Sequence, residues 1–264
     1  MTSSTRPATA HRLFTALPHS GALATTLARS LAQGRAALEG AGLGTVVLGP
    51  DQRGLLHVDD MLAGRAAAGM AGFFPDALAR AKAYGARLGG PVERLVIPLL
   101  PYDLYLPMLW RGLAQRRAMA DFSEMAQDLI ATPRGWSDVV ADLVAGLQPR
   151  QTLILPAPAS AAEALAVLVP EVDLVAAQSG YHDAPDTALR MLQRLYRQKV
   201  VIAPHQVARL VAFHAKLPQP APIAAFTAAD AAGLRRRFAA DLDRIGALAG
   251  VEIAGHPKQS IAAE

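Results

Sequence analysis

The sequence predicts an α/β protein, with a mainly parallel sheet, helices on both faces and a helical C-terminal half. Three observations carry this. Short apolar runs alternate with amphipathic stretches up to about residue 155, the pattern of parallel strands joined by helical crossovers. Beyond residue 170 apolar residues recur almost entirely at helical spacing. Hydrophobic residues make up 52% of the 264 residues, enough to bury a substantial core.

Residues 1–10 read as a polar tail, residues 11–253 as one folded unit and 254–264 as a second tail. Arg12–Leu17 is the first strand. Pro18, His19, Ser20 and Gly21 form a tight loop. A helix follows, with Leu23, Leu27, Leu31 and Leu38 on one face, a weak point at Gly34, and Gly40, Gly42 and Gly44 ending it. Thr45–Leu48 reads as a buried strand, Gly49-Pro50-Asp51 as a turn, and Leu55–Asp60 as a polar loop. Phe74–Leu88 is a helix and Arg94–Leu100 a strand, with Pro98 placing a defect in or near its end.

Three helices follow, over Tyr102–Arg117, Asp121–Ile130 and Trp136–Leu147. Gln151–Leu155 is a strand and Ala159–Leu168 a helix. The remainder is helical over Asp186–Gln198, His205–Lys216 and Ala228–Leu248. The last starts at Thr227 as N-cap, with Asp230 where a capping box puts its acid. Val251–Ile253 reads as a final edge strand.

Net charge is +4, and the tight basic clusters are Arg116-Arg117 and Arg235-Arg236-Arg237. No aromatic residues interleave with them, so they read as solvated faces and not as a nucleic-acid patch. The absence of cysteine removes any disulfide framework or thiolate zinc site. That composition fits a reducing compartment, and a cytoplasmic location is expected. Glu39 is the first acid, which gives the opening the look of a transit peptide; the strand–loop–helix pattern is the preferred reading. The longest apolar tract, Thr152–Ala177, is broken by Pro156, Pro158, Glu163 and Pro170, so no integral membrane segment is expected.

The opening strand–loop–helix has the form of an anion site, because a helix N-terminus presents unpaired N–H groups and a positive dipole end. In four places the chain resembles the P-loop sulfotransferases, which use 3′-phosphoadenosine 5′-phosphosulfate (PAPS), and it looks most like their small bacterial members. Leu17-Pro-His-Ser-Gly-Ala22 aligns with the family's Pro-Lys-Ser/Thr-Gly-Thr-Thr loop. Pro101-Tyr-Asp-Leu-Tyr-Leu-Pro-Met-Leu-Trp110 follows the third strand, where the family binds the 3′-phosphate with an arginine and a serine. Pro133-Arg-Gly-Trp-Ser-Asp138 is similar to a Gly-Trp-x-Asp helix start. Leu234-Arg-Arg-Arg-Phe-Ala-Ala-Asp-Leu242 is similar to a closing Leu-x-x-Arg-Tyr-x-x-Asp-Leu. The resemblance implies a P-loop NTPase-like sheet, PAPS as cofactor, and a hydroxyl-bearing small molecule or glycan as acceptor.

The chain departs from that pattern at its charged positions. His19 stands where the family has lysine, and Ala22 and Leu23 replace the two hydroxyl residues. The expected phosphate arginine falls near Leu99 or Leu100 and the serine near Met108. The resemblance leaves His19, the backbone of Ser20 and Gly21, Thr25 a turn further on, and Arg111 (or Arg116 and Arg117) to hold the nucleotide. For transfer, His57 is the candidate base, oriented by Asp59 or Asp60, with His19 facing the leaving phosphate; an ordinary loop histidine is the competing reading. Tyr102 and Asp103 reach the nucleotide or simply open a helix. Tyr181, His182 and Asp183 are further polar candidates, whereas Trp110 and Trp136 read as core anchors. Two functions follow: a diverged sulfotransferase, or a non-catalytic binding module on the same fold. A different nucleotide-linked transferase is a third.

Overall fold

The computed structural model describes residues 10–15, 23–44, 54–156, 159–179 and 183–255. Six strands are β1 (Ala10–Thr15), β2 (Leu43–Gly44), β3 (Gly54–Asp59), β4 (Val92–Leu99), β5 (Gln151–Pro156) and β6 (Val251–Ile253). They form one sheet in the order β2-β3-β1-β4-β5-β6. Every neighbouring pair is parallel. The helices up to β5 are α1 (Leu23–Gln33), α2 (Arg35–Gly40), α3 (Ala66–Met70), α4 (Ala77–Leu88), α5 (Tyr102–Ala114), α6 (Phe122–Ala131) and α7 (Trp136–Leu147). The rest are α8 (Ala161–Leu168), α9 (Asp186–Arg197), α10 (Pro204–His214) and α11 (Ala228–Gly246). The architecture is the expected P-loop-like α/β one.

Strand alternation divides the interior into two cores. Leu13, Leu95, Ile97 and Leu99 point to one face, against side chains of α3 to α7 and of α11. Phe14, Leu56, Val96 and Leu153 point to the other, against Leu27 and Leu31 of α1, Leu38 of α2 and Leu165 of α8. The path from β1 outward to β2 thus uses one face. The return from β3 across to β4 uses the other, as the single handedness of parallel crossovers requires.

The main correction concerns Leu55–Asp60, expected as a loop. Leu55–Asp59 belongs to β3, and its register pairs Leu13 with His57 and Thr15 with Asp59. The polar residues alternate with Leu56 and Val58, and a strand near the sheet edge tolerates that mixture. Thr45–Leu48 lies outside the described residues; the described part of that strand is Leu43–Gly44. The helix expected from Phe74 begins at Ala77, because Phe73 and Phe74 both take positive φ values of 54° and 61°. The short α3 was not expected. The weak point at Gly34 is a real break between α1 and α2, where an added Cβ would run into the Leu174 side chain. The expected edge strand is β6, paired with β5.

Candidate functional site

The strand order reverses at β1: the chain leaves it toward β3 and β2 on one side and returns to β4 on the other. Parallel sheets bind ligands beyond the strand C-termini at such a point. The expected anion loop, with His19, Ser20 and Gly21, lies outside the described residues. Its described flanks are Thr15, fully buried at the end of β1, and α1. On α1 Thr25 is exposed. Thr26 is buried and its carbonyl accepts a 2.7 Å bond from Ser30 Oγ, which in turn accepts from Ala177 N–H at 2.8 Å. Of the two threonines, Thr25 is therefore the one left facing solvent.

His57 lies inside β3, two residues short of the strand end, and points to the face covered by α4. Its Nε2 is 3.1 Å from His11 Nδ1, and its Nδ1 is 3.4 Å from the Tyr84 hydroxyl. Burial lowers the pKa of His57, the neighbouring His11 lowers it further, and Asp59 opposes them. Burial also lowers the pKa of His11, opposed only by the nearby Leu88 backbone. The Tyr84 hydroxyl is pushed up by burial and then by Asp59. The result is a chain of neutral groups in which one imidazole N–H faces the other's lone pair.

Both nitrogens of His57 are thus engaged, which corrects the expected arrangement. Asp59 does not orient the ring; its Oδ1 accepts the Met61 N–H at 2.7 Å. His11 was not singled out from sequence. The parallel register of β1 and β3, which sets His11 beside Leu55 and Leu13 beside His57, is what joins the two histidines.

Arg111 is also engaged. Its Nη1 pairs with Asp186 at 2.5 Å and its Nη2 donates to the Ala184 carbonyl at 2.7 Å. Asp186 also accepts from Ile223 N–H at 3.0 Å, so one ion pair ties α5 to α9 and to the segment before α11. A helix leaving a strand end runs back along the sheet. Arg111 therefore lies about 14 Å down the axis from Tyr102, away from the crevice. Arg116 and Arg117 follow beyond the end of α5. Leu99 is fully buried and Met108 packs against the core, so apolar side chains occupy the positions where the family's phosphate ligands are expected.

The three later segments of resemblance meet in space. The Tyr102 ring stacks on Trp136, with centroids 5.9 Å apart and planes at 14°. The Tyr102 hydroxyl donates to the Asp241 carboxylate and accepts from Trp136 N–H at 2.6 Å. Ser137 Oγ donates to Asp241 at 2.9 Å, and Arg244 completes the set around this fully buried carboxylate. The Arg237 guanidinium lies 4.9 Å above the Tyr102 ring and donates to the Arg134 carbonyl at 2.9 Å. Burial alone would raise the Asp241 pKa, but the bonds from Tyr102, Arg244 and Ser137 outweigh it and hold the carboxyl below its usual range. Burial, then the Asp241 bond, pushes the Tyr102 hydroxyl well up.

This cluster ties α5, α7 and α11 together inside the core, so Tyr102 points inward. Its neighbour Asp103 pairs with Arg235 at 2.8 Å. Trp110 and Trp136 are core anchors, as expected, each fully buried with its indole N–H on a backbone carbonyl. Tyr181 and His182 lie outside the described residues; Asp183 is exposed. Among the described residues no three His, Cys, Asp or Glu side chains are grouped to hold a metal ion, and no helix is long and apolar enough to cross a membrane. No family model, curated protein or solved structure matches the chain.

Proposed function

We propose that this chain is a diverged relative of the PAPS-dependent sulfotransferases that works as a binding module and not by sulfuryl transfer. One observation carries the reading: among the described residues, the candidate base His57 and the candidate cation Arg111 are consumed by internal partners. Transfer requires a base with a free lone pair facing the acceptor hydroxyl and cations facing the leaving phosphate. His57 spends both nitrogens on His11 and Tyr84, and Arg111 spends its guanidinium on Asp186 and Ala184. Among the described residues a nucleotide at the crevice is left with the N-terminus of α1 and Thr25, the loop of His19, Ser20 and Gly21 lying outside them. That supports weak anion binding without stabilising developing charge.

A panel of hydroxyl acceptors incubated with PAPS tests this. Release of adenosine 3′,5′-bisphosphate should not exceed the protein-free rate. Calorimetry with adenosine 3′,5′-bisphosphate should register binding weaker than micromolar. Acceptor-dependent release that disappears in His57→Ala would overturn the reading in favour of a transferase. Absence of heat up to millimolar nucleotide would remove the nucleotide as its ligand. The transferase reading draws on one observation of its own, the His11–His57–Tyr84 chain, which can pass a proton along three groups. In that reading His57 takes the acceptor proton, the sulfuryl group moves from PAPS to the acceptor oxygen, and adenosine 3′,5′-bisphosphate leaves.

A further inference from the structure

We infer that the α9–α10 hairpin is a docking surface for an anionic phospholipid membrane. The charge distribution is the first ground. Between residues 186 and 216 the only acid is Asp186, already paired with Arg111. Against it stand Arg190, Arg194, Arg197, Lys199, Arg209 and Lys216, of which Arg197 pairs with Asp121 of the segment before α6. This one segment therefore carries more positive charge than the whole chain, whose net is +4.

The second ground is where the exposed apolar side chains lie. Among the described residues, Met191, Val200, Val201, Phe213 and Leu217 are large, apolar and exposed. Outside the hairpin region the corresponding described residues are Met61, Leu104 and Val175. Val201, in the turn between the two helices, is 96% exposed and Phe213 is 62% exposed. Scattered single apolar residues on a surface need no explanation, but a concentration of them on one basic element does.

The two properties meet on this hairpin, where Arg209 and Lys216 rim the apolar groove. Met191 and Leu195 of α9 and Leu210 and Phe213 of α10 line a shallow groove of about 720 Å³, together with Arg209 and with Lys216 just past α10. Arg194 is exposed one turn beyond Met191 and, with Arg190 and Arg197, lines a second pocket beside Asp121 and Phe122, so these three cations flank the groove without lining it. No residue of α10 is buried. A helix of this length without an apolar neighbour on its outer side is marginal, and a lipid surface would supply that neighbour. Cationic side chains around exposed aliphatic and aromatic tips match a bilayer interface, where phosphates face the cations and the tips enter the acyl boundary.

A membrane accounts for one feature that a groove-bound acidic peptide does not. Val201 lies at the turn, outside the groove, and a broad apolar boundary reaches the turn and Phe213 together. The inference stands apart from the crevice: it requires neither nucleotide nor catalysis. It describes association with one leaflet, in keeping with the lack of a spanning helix among the described residues.

Co-sedimentation of the full chain with vesicles tests it. The probes are phosphatidylcholine containing about a third phosphatidylglycerol, and phosphatidylcholine alone. Binding is expected to the anionic vesicles only, and to weaken as salt shortens the screening length. Reversing the exposed charges together, in Arg194→Glu, Arg209→Glu and Lys216→Glu, should weaken binding about a hundredfold, at about fivefold or more per residue. Val201→Asp should weaken it several-fold while leaving the circular dichroism spectrum unchanged. No binding to anionic vesicles, or equal binding to neutral ones, would overturn the proposal. So would binding indifferent to Val201→Asp and equally strong on soluble polyglutamate, which would make the surface a site for acidic polypeptides.

Discussion

Helices α10 and α11 belong to the same C-terminal half and look alike locally, yet α11 is anchored deep in the core and α10 only at its margin. Each starts with a satisfied N-terminus: Thr227 Oγ1 accepts from Asp230 N–H at 3.2 Å in α11, and Gln206 accepts from Ala203 N–H at 2.9 Å in α10. Each carries apolar residues at helical spacing. The difference is tertiary. α11 buries Leu234, Phe238, Asp241 and Ile245, whereas α10 has no fully buried residue and meets the main core only through half-buried Val211. A helix is fixed by what its apolar stripe meets, and in α11 a carboxylate in the middle of that stripe adds directional bonds to the packing.

The strongest way to break the contrast is to remove that carboxylate. Asp241→Ala leaves the Tyr102 hydroxyl and Ser137 without their buried acceptor and should cost about 3–5 kcal/mol in chemical denaturation. A loss below about 1 kcal/mol would mean the network is passive. Gly135→Ala attacks the same point without removing a charge. Its Cβ would lie 2.8 Å from Asp241 Oδ2 and collide with the Tyr102 hydroxyl. Overpacking of about 1–3 kcal/mol is expected. Because the Asp241 pKa is depressed in the fold, its stabilisation is fully present above the unfolded-state pKa and is lost as pH falls through the folded value. The wild type should therefore lose stability more steeply in that acid range than Asp241→Asn does.

Arg111→Ala is expected to come next. It leaves Asp186, 14% exposed, without its cation and loosens α9 from α5, at about 2 kcal/mol. Hydrogen exchange should then quicken across α9 and α10 while α11 keeps its protection. Equal loosening of both helices would erase the contrast.

The fold was legible in the sequence where one local pattern decided it. Trp136–Leu147 was expected over the range observed, and the strand Gln151–Leu155 extends by one residue. Legibility failed where a long-range partner decides. His57 reads as a loop residue because its short run is bounded by the Gly49-Pro50-Asp51 turn signal and by Asp59-Asp60. Only the parallel pairing of β1 with β3 turns it into a strand residue facing His11. Arg111 reads as a phosphate ligand because sequence shows its distance from the strand but not Asp186, which captures it from far along the chain. The motifs around Tyr102, Trp136 and Asp241 were legible as motifs. That they form one buried knot depends on three helices packing together.

A smaller effect is expected at the histidine pair, whose environment lies between the two helices in character: enclosed like the Asp241 site, but with no charge to organise it. Both pKa values are lowered in the fold, so the unfolded chain binds more protons between the folded values and 6.5. The stability this neutral pair contributes is complete above 6.5 and drains away as pH falls below it. His57→Phe should flatten that slope in denaturation curves collected across this range. An unchanged slope would show that His57 and His11 are open to water and free to charge.

The smallest effect is expected on α10. Phe213→Ser removes an apolar side chain that the fold leaves in solvent, so stability in buffer should change by no more than about 0.5 kcal/mol. The contrast with Asp241→Ala is the point of the experiment, since the two substitutions lie on helices with similar local signals. Phe213 contributes only what its neighbours cover, and those neighbours are the rim of a shallow groove. A loss above about 1 kcal/mol would show that α10 is packed more firmly than its exposure implies. The helix would then be a structural element of the fold in its own right, and its apolar side chains would need no outside surface to explain them.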